Sequence, residues 1–184
     1  MKNEKKTHRL ASLLRVALFA AVIAVSAWLS LPSPVPFTMQ TFGVFLAVLA
    51  LGGKDGSLAV CVYILLGAVG LPVFSGFTGG VGALFGTGGG FILGFPVAAG
   101  IMWLCEYLLG KSTPARITAS VLALSALYAI GALWFVAVYT KTADDIGLWS
   151  ALSICVLPYL LPDIVKLALA FTVAKRLQPV MKKQ

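Results

Sequence analysis

Charge is what this sequence has least of. Fourteen Lys and Arg and six Asp and Glu amount to 11% of its 184 residues, against about 25% in an ordinary soluble domain. So few charges cannot cover a water-facing exterior, and 60% hydrophobic residues exclude a disordered chain. Cysteine is scarce as well. Cys61, Cys105 and Cys155 each lie in an apolar run, without the spacing of a disulfide framework or a zinc module, and read as small hydrophobes. The single histidine, His8, falls in a basic N-terminal tail. That leaves no His–Glu cluster for a metal and no imidazole to activate a serine. No glycine stands five positions before Gly53-Lys54, so the phosphate-binding loop of ATPases is missing too. Neither a metal nor a cofactor is expected.

What is present is hydrocarbon, gathered into long runs with a mean hydropathy of +0.99. The pattern predicts an all-α, multi-pass membrane protein, with residues 1–184 forming one integral membrane domain. A helix needs about 20 apolar residues to cross a bilayer core. Six spans are predicted, over residues 13–31, 37–51, 57–71, 91–109, 115–139 and 162–181. Proline stops the first at Pro32-Ser33-Pro34-Val35-Pro36, and the glycine-rich stretch Gly52–Gly56 turns the second into the third. The last span is started at Pro162 because proline suits the first turn of a helix. Residues 149–161 then form a short outer segment, or else the first part of one long kinked helix from Trp149.

Residues 71–90 stand apart. Eight glycines fall between Gly76 and Gly90, with no charge among them. So many glycines make a poor helix, and irregular backbone at membrane depth survives only against protein or a water-filled cavity. A folded-in loop lining a site is the expectation. The plainer reading, a flexible surface loop, would call for more polar residues.

Positive charge gives the orientation. Lys2, Lys5, Lys6, Arg9, Arg15, Lys54, Lys111, Arg116, Lys175, Arg176, Lys182 and Lys183 all fall on one side of a six-span chain. Both termini are therefore expected in the cytoplasm. The net charge of +8 is not collected on a face with stacking aromatics, so the bilayer and not nucleic acid is its partner.

Two charges fall inside a span. Asp163 and Lys166 lie on one helix face at i,i+3 spacing, and intramembrane charges are costly enough to be functional candidates. The alternative is a structural ion pair at the outer interface. Gln40 adds a donor and acceptor near the outer end of the second span, and Phe74, Phe77 and Phe91 surround the glycine loop. Glu106 lies close to Lys111 and is expected to pair with it. An intramembrane enzyme remains possible on these residues alone, with Asp163–Lys166 as its polar pair.

Four segments resemble the BioY family, the biotin-binding S components of energy-coupling-factor (ECF) vitamin transporters. They are Pro34-Val-Pro-Phe-Thr-Met-Gln-Thr41, Gly67-Ala-Val-Gly-Leu-Pro-Val-Phe-Ser-Gly-Phe-Thr-Gly-Gly80, Gly86-Thr-Gly-Gly-Gly-Phe-Ile-Leu-Gly-Phe95 and Pro162-Asp-Ile-Val-Lys166. The resemblance implies a six-helix S-component bundle that captures biotin near the outer face of a bacterial cell membrane. It further implies a transmembrane coupling subunit and two ATPase subunits as partners. Gln40, Asp163 and Lys166 match the family's polar site residues; Phe77 and Phe91 would form part of the wall. Thr78 stands where some members have asparagine, Ile92 where some have arginine, and Phe91 replaces a tyrosine. Ala17 and Ala21 match the family's Ala-x-x-x-Ala contact for the coupling subunit, where small residues four apart permit close helix approach. A different small vitamin is the alternative ligand.

Overall fold

In the computed structural model, residues 2–33, 35–142 and 147–182 are described. Helix α1 (Lys2–Trp28) leads into two-residue strands, β1 (Ser30–Leu31) and β2 (Phe37–Thr38). Then come α2 (Gln40–Leu51), α3 (Gly53–Ala68), a 3-10 turn (Ser75–Phe77) and a short α4 (Val81–Phe85). Helices α5 (Gly89–Leu109), α6 (Thr113–Thr142), α7 (Leu148–Cys155) and α8 (Leu157–Lys182) complete the chain. Among the described residues, four helical stretches are long and apolar enough to cross a membrane: Arg9–Trp28, Gly89–Leu109, Thr113–Thr140 and Leu157–Pro179.

Helix α2 is the centre of the molecule. Its sequence is apolar all round, which is the signature of a helix buried on every side. Of its residues only Phe42 and Leu51 escape full burial, and it packs against α1, α3, α5 and α8. Twelve residues rise only about 18 Å, and α2 manages with that length because its neighbours, not lipid, surround it. Helices α5 and α6 form the most extended helix pair.

Several boundaries differ from those expected. The second span begins at Gln40, not Phe37, because Phe37 and Thr38 are taken into an antiparallel ladder with Leu31 and Ser30. The third begins at Gly53, not Ser57: Gly52 alone reverses the chain at φ 88°, and Glu106 Oε2 accepts the Gly53 N–H at 2.9 Å, capping the helix start from outside. Residues 71–90 are not one continuous loop, since they contain the 3-10 turn and α4. The last helix starts at Leu157, not Pro162. Two prolines fit the first-turn rule, and the chain uses Pro158; Pro162 lies inside the helix. The break from α7 falls at Val156 (φ −125°, ψ −58°), so neither a 149–161 segment nor one helix from Trp149 describes this region. Asp144 and Asp145 lie outside the described residues, as do Pro34 and Lys183.

The helix ends fall into two groups. At one end, Ser12 Oγ donates to Asp55 Oδ2 at 2.7 Å, Lys111 pairs with Glu106 at 3.2 Å, and Arg15 Nη1 donates to the Met181 carbonyl at 3.0 Å. At the other end, Trp28 Nε1 donates to the Pro72 carbonyl at 2.9 Å, Trp134 Nε1 to the Gly86 carbonyl at 3.0 Å, and the Ser33 and Tyr159 hydroxyls meet at 3.0 Å. The candidate site opens at this second end.

Candidate ligand-binding site

The β1–β2 ladder brings the chain back over α2 and α8 and so supplies part of the site. Lys166 Nζ donates to the Thr38 carbonyl at 2.7 Å and to Asp163 Oδ1 at 2.7 Å, and lies 4.0 Å from the centroid of the Phe37 ring. The hairpin therefore gives the ammonium both an oxygen ligand and an aromatic face. Tyr128, from α6, donates its hydroxyl to Asp163 Oδ2 at 2.6 Å. Asp163 and Lys166 are each only 4% exposed. Burial at this depth is tolerable because each charge has an opposite charge and further hydrogen bonds.

Gln40 stands beside this pair at the first position of α2. Thr38 Oγ1 accepts the Gln40 backbone N–H and donates to Gln40 Oε1, both at 3.1 Å. Gln40 Nε2 donates to the Tyr63 hydroxyl at 2.6 Å. The amide is thus held in one orientation by partners on two different elements.

The segment between α3 and α5 covers the cavity and is pinned by one aromatic. Phe74 is fully buried, edge-on to Tyr63 at 5.6 Å, over Gly67, where a Cβ would stand 2.0 Å from the Phe74 ring. Its backbone groups find partners: Phe74 N–H donates to the Thr78 carbonyl at 3.0 Å, and Gly80 N–H to the Gly67 carbonyl at 2.7 Å. On the facing wall, the Phe91 ring lies against Gly131, where a Cβ would approach to 2.3 Å.

Together these elements enclose a cavity of about 620 Å³, within the usual range for small-molecule sites. Gln40, Thr78, Phe91, Ile92, Asp163 and Lys166 all line it. Phe77 does not. Gly76 and Phe77 both adopt positive φ, 66° and 56°, and this double left-handed step turns the ring outward. It stacks on Trp28 at 5.1 Å and is 63% exposed. Tyr128, Thr38, Phe37 and Tyr159 also belong to the site, beyond the residues singled out from the sequence. Tyr159 stacks on Phe37 at 5.8 Å and, like Ser33, donates to the Val35 carbonyl. A tyrosine hydroxyl in the middle of an apolar span needs a partner, and that signal was available for Tyr128.

The arrangement leaves hydrogen-bonding capacity at the cavity wall. The Asp163 carboxylate has acceptor capacity beyond the two bonds it receives. Lys166 and Gln40 carry further N–H donors, and Phe91, Phe95 and Leu127 give an apolar flank. Ala17 and Ala21 lie elsewhere, exposed on the outward face of α1, one helical turn apart.

A model of the BioY family matches residues 1–183. The chain is 43% identical to a probable biotin transporter BioY of Pyrococcus horikoshii, over 89% of this chain and 93% of that protein. It is 40% identical to the biotin transporter BioY of Thermotoga maritima, over 90% and 95%. Among solved structures, the S-component for biotin from an ECF-type ABC transporter superposes with a TM-score of 0.80 at 25% identity, over 100% of this chain and 95% of that one. This multi-pass membrane chain, with its polar cavity set among apolar helices, belongs to the BioY family.

Proposed function

We propose that this protein captures biotin in the cavity at the hairpin end of the bundle, as the S component of an ECF-type vitamin transporter. The observation that carries the reading is the buried Asp163–Lys166 pair at the cavity wall, held by Tyr128 and Thr38. Biotin has a ureido ring with two N–H donors and a carbonyl, an apolar thioether ring and a carboxylate. Asp163 would accept from the ureido N–H groups; Lys166 and Gln40 would donate to the carbonyl or the carboxylate. Thr78 adds a hydroxyl, and Phe91 with Ile92 supplies the flank against the thioether ring. The family is one of transporter S components, and the intramembrane-enzyme alternative is dropped with that assignment.

Six membrane segments follow on this reading: α1, α2, α3, α5, α6 and α8. The end that gathers Arg15, Lys54, Lys111, Arg116 and Lys175 is cytoplasmic by the positive-inside rule, with both termini on that side of a bacterial cell membrane. Uptake then needs an energy source from outside the chain, a coupling subunit docked on Ala17 and Ala21 together with two ATPase subunits. A thermal-shift screen of the purified protein with biotin, riboflavin and thiamine tests the ligand. Biotin alone should raise the melting temperature, and a larger rise with either other vitamin would reassign the substrate.

A further inference from the structure

At the opposite end of the bundle lies a second and larger cavity, about 840 Å³, that substrate capture leaves unused. It opens between α6 and α8. Helix α6 packs on α5 and α7, and α8 on α2 and α7, without substantial packing between α6 and α8. Its walls are of two kinds. Ile117, Phe171 and Ala174 give an apolar lining, and Arg15, Arg116 and Lys175 bring three cations to it.

Those cations lack carboxylate partners among the described residues. Asp55 is the one acid in the lining, and it accepts from Ser12. Lys111, at the rim, is taken by Glu106. Arg15 donates one Nη1 bond to the Met181 carbonyl, but its buried Nε–H has no partner. Helix α6 also begins here, with Thr113 in the lining, so its positive N-terminal end adds to the field.

We propose that this cleft binds one anionic phospholipid. The headgroup phosphate is held by Arg15, Arg116 and Lys175, and an acyl chain lies along Ile117 and Phe171. Charge complementarity selects the anion, and the apolar walls select a lipid over a free phosphate, which has nothing to bury against them. Basic clefts between membrane helices are suited to anionic headgroups. Which leaflet supplies the lipid rests on the topology proposed above; the binding does not.

Native mass spectrometry of the detergent-purified full chain, mixed with equimolar phosphatidylglycerol and phosphatidylcholine, tests it. Phosphatidylglycerol should be retained at least about tenfold better, and 0.5 M salt should erase most of that preference. Arg116→Gln and Lys175→Gln should each cut the preference roughly fivefold. Ala168→Phe, which fills the apolar wall and leaves every charge in place, should lower retention of the lipid. Equal retention of the two lipids would overturn the proposal, as would a preference untouched by the charge variants. Displacement of the lipid by millimolar inorganic phosphate would also overturn it, in favour of a soluble-anion site. Should a charge variant fail to fold, the salt series on the unaltered chain and Ala168→Phe decide. Biotin binding is not part of the readout, so failure here leaves the outer site standing.

Discussion

The two ends of this bundle use charge in opposite ways. At the hairpin end one anion and one cation are buried together and bonded to each other, with Tyr128 of α6 as the anion's further partner and the Thr38 carbonyl of β2 as the cation's. At the other end Arg15, Arg116 and Lys175 border a wider cleft and have no carboxylate to neutralise them among the described residues. Helices α2 and α8 serve both ends. Paired and buried charges fix geometry and so can discriminate between ligands, because an imperfect fit leaves a buried group unsatisfied. Unpaired charges at a rim set orientation and attract anionic surfaces, with little demand on shape. The contrast predicts that substitutions at one end leave the other end's function untouched.

The largest effect concerns neither cavity. Ala17→Trp with Ala21→Trp should abolish biotin uptake by the assembled transporter while isolated binding stays intact, read by transport and titration assays on the same variant. Equal loss of binding would mean these alanines serve internal packing, although both are exposed. Next comes Lys166→Met, which strands Asp163 in a buried site. Breaking such a pair costs stability on the order of 3 kcal/mol, and loss of the charged donor to the ligand, about 1.5–3 kcal/mol, should lower biotin affinity about tenfold to a hundredfold, measured by calorimetry.

Gly131→Ala tests the wall. Its Cβ would meet the Phe91 ring at 2.3 Å, and overpacking of this kind costs about 1–3 kcal/mol. The melting temperature should drop by several degrees and biotin should bind roughly tenfold more weakly. Tyr128→Phe removes one hydrogen bond to Asp163 and leaves the ring; about 1.5 kcal/mol, or tenfold at most in affinity, is expected. The smallest effect sharpens the comparison directly. Arg116→Gln should leave biotin affinity within a factor of two, and any larger loss would show that the two ends are coupled.

The membrane class and the presence of a polar pair were legible because both rest on composition and spacing: apolar runs announce spans, and a charge inside a run is conspicuous. The start of α8 was not, since Pro158 and Pro162 satisfy the same first-turn rule and only packing against α7 chooses between them. The direction of Phe77 is not legible in the sequence because it depends on two successive left-handed residues, a backbone fact that aromatic type does not report. The short reach of the β1–β2 ladder explains why Thr38 and Phe37 went unnoticed: two-residue strands leave no periodicity to read. Tyr128 was readable in principle. Its hydroxyl sits in the middle of a mostly apolar α6, and only the identity of its partner required the fold.

The central claim is that Asp163 is a ligand-binding group and not merely half of a structural ion pair. Asp163→Asn keeps the side chain's shape and removes its charge, so biotin affinity per folded molecule of this variant is the most direct measurement. Hydrogen bonds to charged groups contribute about 1.5–3 kcal/mol, and affinity should therefore fall about tenfold to a hundredfold, with riboflavin and thiamine still not bound. A variant that loses thermal stability but binds biotin with unchanged affinity would contradict the account.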